Sequence, residues 1–195
     1  EWFAIMGSGP FDCDAVSNQK GRVFVYHLKL SDGTIDMDGA GLVQTILTSE
    51  NKAIMASPVT MDLNLNYNVD TIYIGDSYVD GTAERGKMFR ISTRSNNNPA
   101  PNTSLWPYKT DPSVSPWLMT TLFSSSTPIT ASPAASMDAH DNIWVYFGTG
   151  KYYSVSDKTD TTIQRFYGIK DACAYGACSA ADEIALADLY PSTDI

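Results

Sequence analysis

The segment with the clearest chemical pattern runs from Asp62 to Asp70, where oxygen-bearing side chains stand at every second position: Asp62, Asn64, Asn66, Asn68 and Asp70. A hard divalent cation such as Ca2+ takes about six to eight oxygens, and a tight loop that turns alternate residues inward supplies them from carboxylates, amides and a backbone carbonyl. These five residues are the candidate metal ligands and Ca2+ the expected cofactor. The loop departs from an EF-hand, because Tyr67 stands where that motif has glycine and Tyr73 where it has a bidentate glutamate. Only Asp62 and Asp70 are anionic, so the expected affinity falls at the weak, extracellular end of the range. The same pattern also suits an Asx-rich turn that satisfies its own backbone without a metal.

Other constellations carry less chemistry. His27 falls in a strand-like run and His140 in a polar turn, where His140-Asp141 reads as solvated rather than catalytic. No Gly-x-Ser-x-Gly elbow, His-x-x-x-His pair or phosphate-cradling glycine loop occurs. Gly7-Ser8-Gly9 and Gly148-Thr149-Gly150 follow strands with no helix behind them and read as turns. Cys173 and Cys178 flank Gly176 and are open to three readings: unpaired structural thiols, a small disulfide loop or a two-cysteine metal site, with Cys13 left over.

The elements that must position the loop are strands. Short β-branched and aromatic runs bounded by Gly, Asn, Asp, Ser and Pro recur, and helical periodicity is nearly absent. One short C-terminal helix is expected over Ala180 to Leu189, with Ser179 as its cap and Pro191 beyond its end. Ser95 to Pro116, rich in proline and containing Asn96-Asn97-Asn98, reads as a long surface loop pinned by Trp106 and Tyr108.

The strands repeat. Ala56-Ser57-Pro58 with Met61-Asp62 returns 75 residues later as Ala131-Ser132-Pro133 with Met137-Asp138. Each copy runs into an apolar strand containing a glycine, Gly75 or Gly148, and a third such strand opens the chain and ends at Gly7. Hairpin partners follow at Gly21 to Leu28, Gly86 to Ile91 and Gln164 to Ile169. Repeated antiparallel units with one buried strand each describe a β-propeller blade. The glycines fit places where a side chain would collide, and Met6, Met55, Met61, Met88, Met137, Trp144 and Phe147 are expected in the core. The expectation is an all-β partial propeller of about two and a half to three antiparallel blades, with units over 1–50, 51–127 and 128–195. Closing a ring takes roughly four to eight blades. The remainder is therefore expected elsewhere, either outside this sequence or in a sibling chain that completes the ring. A β-sandwich is the competing architecture, but it has no reason to repeat three elements in one order.

The 195 residues are 43% hydrophobic, a globular composition of domain size. The net charge of −9 leaves no basic stripe for a nucleic-acid backbone or an anionic membrane surface. No apolar run approaches the roughly 18 residues of a membrane span. The chain opens on Glu1 and its first residues lack the features of a signal peptide, so the native start is expected to lie outside it.

Val145-Tyr146-Phe147-Gly148-Thr149-Gly150-Lys151-Tyr152, followed by Gln164-Arg165-Phe166-Tyr167-Gly168-Ile169-Lys170-Asp171, resembles the C-terminal propeller of the PilY1/PilC-type type IV pilus assembly and adhesion factors. Ile5 to Gly9 with Gly21 to Leu28, and Tyr73-Ile74-Gly75-Asp76 with Gly86 to Arg90, resemble further strands of that propeller. The family's calcium loop precedes the Tyr-x-Gly-Asp strand, and Asp62, Asn64, Asn66 and Asp70 match its side-chain positions, with Asn68 contributing its carbonyl. The longer hairpin at Ser77 to Arg85 departs from the pattern. The resemblance implies a non-enzymatic, secreted protein at the pilus tip or outer cell surface. Its implied partners are minor pilins or other surface proteins and a host or surface ligand, and calcium occupancy acts as its switch. A quinoprotein-like or glycosidase propeller is the alternative class. Its clustered carboxylates or cofactor-stacking Trp are not assembled in this sequence.

Overall fold

The computed structural model describes residues 2–9, 19–29, 31–35, 42–93, 117–175 and 179–191. The strands are β1 (Trp2–Gly7), β2 (Lys20–Leu28), β3 (Leu42–Asn51), β4 (Ile54–Met55), β5 (Val59–Met61), β6 (Thr71–Asp80), β7 (Ala83–Ser92), β8 (Leu118–Ser125), β9 (Ala134–Met137), β10 (Ile143–Gly148) and β11 (Phe166–Asp171). They form three antiparallel sheets: β1-β2-β3, then β4-β6-β7-β8 with β5 also on β6, then β11-β10-β9.

The sequence repeat is a structural repeat. The Ser-Pro dipeptides lead into β5 and β9, which pair with the glycine strands β6 and β10, and those pair in turn with β7 and β11. The glycines fall in matching register, Gly7 opposite Val23, Gly75 opposite Met88 and Gly148 opposite Phe166.

The sheets stack in series. Ile72 and Ile74 of β6 join Val23, Val25, Phe89 and Ile91 in the core between the first and second sheets. Tyr73, one residue out of phase, joins Met88, Phe123, Val145, Phe147 and Ile169 in the core between the second and third. Residues 71–77 of β6 are buried throughout, because a strand between two packed sheets has no wet face.

Several expectations need correction. β1 is an edge strand rather than a buried one: Trp2 and Met6 are exposed, since no further strand covers that side among the described residues. Met55 and Met88 are core, while Met61, Met137 and Trp144 are only partly buried. The lengthened hairpin at Ser77 to Arg85 is present as expected, with β6 and β7 continuing to a tip at Asp80 and Ala83 around Gly81. The C-terminal segment is not one helix. Short 3-10 turns at Ala180–Asp182 and Leu186–Asp188 flank Ile184, whose N–H donates to Leu122 O at 2.9 Å, and this bridge to β8 interrupts helical bonding. Ser179 does cap the first turn, accepting from Ala181 N. The expected Pro/Asn-rich loop, Cys13 and Cys178 lie outside the described residues.

Candidate metal loop

The 62–70 loop joins β5 to β6 at one end of the second sheet. Asp62, directly after β5, folds its carboxylate over the loop that follows. Oδ1 accepts the N–H groups of Asn64 and Asn66 at 3.3 and 3.2 Å, and Oδ2 accepts that of Tyr67 at 2.6 Å. At the far end Asp70, 1% exposed, accepts the buried Leu63 N–H on Oδ2 at 2.7 Å and sends its own N–H to Met61 O. Asn66 Oδ1 accepts Asn68 N–H at 3.0 Å. These bonds close the loop on itself, as an Asx-rich turn does. They hold in place a loop whose two carboxylates, by charge alone, are expected to spring apart.

Two observations exceed what a self-satisfied turn needs. Asn64 Oδ1 is buried and has no hydrogen-bond partner, an arrangement that costs about 1–3 kcal/mol unless a donor or cation meets it. Leu65 and Tyr67 both hold positive φ, 57° and 67°, a conformation that bulky residues adopt only under constraint. Leu65 and Tyr67 project outward while Leu63 is buried in the core between the second and third sheets. Inward and outward positions do not strictly alternate: Asp62 and Asn64 are half-buried and Asp70 is buried, whereas Asn66 and Asn68 are exposed like Leu65 and Tyr67. The donor set fits a hard cation: an orphaned amide oxygen on Asn64, two carboxylates that keep lone pairs beyond their N–H bonds, and the amides of Asn66 and Asn68.

The third sheet carries a shortened counterpart. Asp138, placed after β9 as Asp62 is after β5, accepts His140 N, Asn142 N and the Asn142 amide on Oδ1, and Trp144 Nε1 at 2.9 Å on Oδ2. The Trp144 and Asn142 donors hold its carboxyl well below the usual carboxylate range. His140 and Asp141 are exposed on this turn. Among the described residues no group of three or more His, Cys, Asp or Glu side chains is placed to hold a metal. The 62–70 loop, with two acids, is by composition outside such groups.

Two buried polar groupings were not anticipated. Asp171, 4% exposed, accepts Arg90 Nη1 and Tyr73 OH, both at 2.7 Å, and ties the second sheet to the third. Asp76, fully buried, accepts Lys87 N–H at 2.6 Å, and Lys87 Nζ pairs with Glu50. Both aspartates sit in the strand motifs Tyr-x-Gly-Asp and Gly-Ile-x-Asp, which is the signal that could have found them.

No protein-family model and no curated protein sequence matches this chain. Among solved structures, the Pseudomonas aeruginosa PilY1 C-terminal domain aligns with a TM-score of 0.66 and 21% identity, over 95% of this chain and 37% of that one. The chain has the fold of the PilY1 C-terminal domain. The three sheets are thus blades of a partial β-propeller, and the chain spans about 37% of the PilY1 chain it matches.

Proposed function

We propose that this chain is a calcium-binding, non-enzymatic β-propeller module of a pilus-associated protein at the cell surface. The observation that carries the metal assignment is the buried, unpartnered Asn64 Oδ1 inside a loop closed at both ends by aspartates. Asp62, Asn64, Asn66, Asn68 and Asp70 would hold the ion. Bound Ca2+ supplies positive charge and an oxygen-coordinating centre. The chain's own residues do the rest: Asp62 gathers three backbone N–H groups, Asp70 fixes Leu63, and Leu65 and Tyr67 take the positive φ that the turn requires.

The pilus-associated, surface setting is supported by the fold shared with the PilY1 domain and by the strand motifs of the sequence. Minor pilins or other surface proteins are the proposed partners. Among the described residues no helix is long and apolar enough to cross a membrane.

Isothermal titration with Ca2+ tests the metal assignment. Saturable binding is expected in the range of extracellular sites, about 0.1–1 mM. Asn64→Ala should weaken it about tenfold and Asp62→Ala should abolish it. Absence of binding at millimolar Ca2+, or an unchanged Asn64→Ala protein, overturns the reading.

A further inference from the structure

Each junction between blades is locked in the same way. At the first, the N–H of Met55 donates to Ser8 O at 3.0 Å, and Met55 lies over Gly7, where an added Cβ would stand 2.7 Å from Met55 Cβ. At the second, the N–H of Ile129 donates to Asp76 O at 3.0 Å, and a Cβ on Gly75 would stand 2.6 Å from Ile129 Cγ2. In both cases the carbonyl is that of the residue after the glycine, and the covering residue is an unbranched or β-branched aliphatic two or three positions ahead of Ser-Pro. Proline removes a donor and biases the residue before it toward extended backbone, so the segment runs straight from this contact into the next blade.

The third blade repeats the receiving half alone. Among the described residues a Cβ on Gly148 would meet nothing nearer than Phe166 Cδ2 at 3.9 Å, and no backbone N–H reaches Thr149 O. The surroundings are apolar and open: Tyr146 lies against Gly168 on the outward face, and Phe166 is 75% exposed. One element differs. Gln164 stands where Gly21 and Gly86 line the other two contacts, and its side chain lies over Gly150 and accepts from Thr149 Oγ1.

We propose that Gly148 and Thr149 form a socket for an extended segment bearing an aliphatic residue ahead of Ser-Pro, the lead-in of a further blade. The socket continues an interface the chain already makes twice, and Gln164 is its rim. The occupant's aliphatic side chain fills the space over Gly148 and its N–H reaches Thr149 O. The inference rests on the propeller fold and not on the metal loop, so it stands or falls separately from calcium binding.

The probe is a labelled synthetic peptide of residues 127–137, Thr127 to Met137, titrated into the intact chain and followed by fluorescence anisotropy. Saturable binding is expected. Ile129→Asp within the peptide should weaken it at least about tenfold, a change that leaves the protein untouched. Gly148→Val in the protein should do the same while preserving the melting temperature, and Gln164→Gly, by widening the socket, should tighten binding severalfold. No saturation at about 1 mM peptide with either the native chain or Gln164→Gly overturns the proposal, as does equal affinity for the Ile129→Asp peptide. A concentration-dependent dimer in sedimentation that the peptide fails to disperse assigns the face to a second copy and also overturns it.

Discussion

Tyr73 donates its phenol proton to Asp171 at 2.7 Å, joining residues 98 positions apart across the boundary of the second and third blades. Arg90 bonds the other carboxylate oxygen at 2.7 Å, so one acid receives two partners from the neighbouring blade in a site from which water is excluded.

Removing one member of such a buried pair takes from the other its hydrogen-bonded counter-charge, which costs about 3–5 kcal/mol. Asp171→Ala is expected to lower urea stability by that amount. Tyr73→Phe deletes a single bond to a charged acceptor and should cost about 1.5–3 kcal/mol. Chemical denaturation of both variants checks the order, and equal losses would contradict it.

The glycines should respond by position. Gly75→Ala places a Cβ 2.6 Å from Ile129 Cγ2 and 2.9 Å from Ile129 O, and overpacking of this kind costs about 1–3 kcal/mol. Gly148→Ala meets only ordinary contact distances and should change stability by no more than about 0.5 kcal/mol. Thermal melts of the two variants side by side give the comparison.

Asp76 sets a pH dependence. Burial pushes its carboxyl up to about 8, with Glu50's charge adding to the rise and the Lys87 N–H and ammonium opposing it. In the unfolded chain the group titrates near its ordinary value of 3.8. Between these values the unfolded state has released a proton that the folded state retains, so stability falls as pH rises through that window and levels above it. Asp76→Asn keeps an acceptor for Lys87 N–H and should flatten the slope. Urea midpoints at pH about 5, 7 and 9 will show whether the native protein loses stability across the series while the variant holds.

Asp138 behaves in the opposite sense. Its carboxyl is depressed by the Trp144 indole first and the Asn142 amide second, so its contribution is present above the ordinary value of 3.8 and lost as pH falls below it. The Trp144 emission, taken as the difference from Trp144→Phe, should stay constant through the usual carboxylate range and change only in stronger acid. A transition centred near pH 4 would show that the indole bond does not govern Asp138.

The order of strands and the repeat were legible because both are local: β-branched runs, Ser-Pro lead-ins and strand glycines mark β5, β6, β9 and β10 in one dimension. The oxygen-rich pattern from Asp62 to Asp70 is equally local, but which of its residues turn inward was not legible: Asn66 and Asn68 are exposed while Leu63 is buried. Which face each strand presents was not legible either. β1 carries the same glycine signature as β6, yet Met6 is 48% exposed, because burial depends on a neighbouring sheet rather than on the strand itself. The Arg90–Asp171 pair spans 81 positions and no spacing rule reaches that far. The C-terminal turn failed as a helix because Ile184 found a partner on β8, a tertiary bond that overrides local propensity.

Leu63 gives the oxygen-lined turn a mechanical role. Its amide is held by Asp70 while its side chain is buried in the core between the second and third sheets. A shift of the backbone at this one residue must therefore either stay within the slack of a close-packed interior or unseat a rivet between adjacent vanes. An ion bound there as proposed would act first on how firmly those vanes are fastened, before any surface contact is altered.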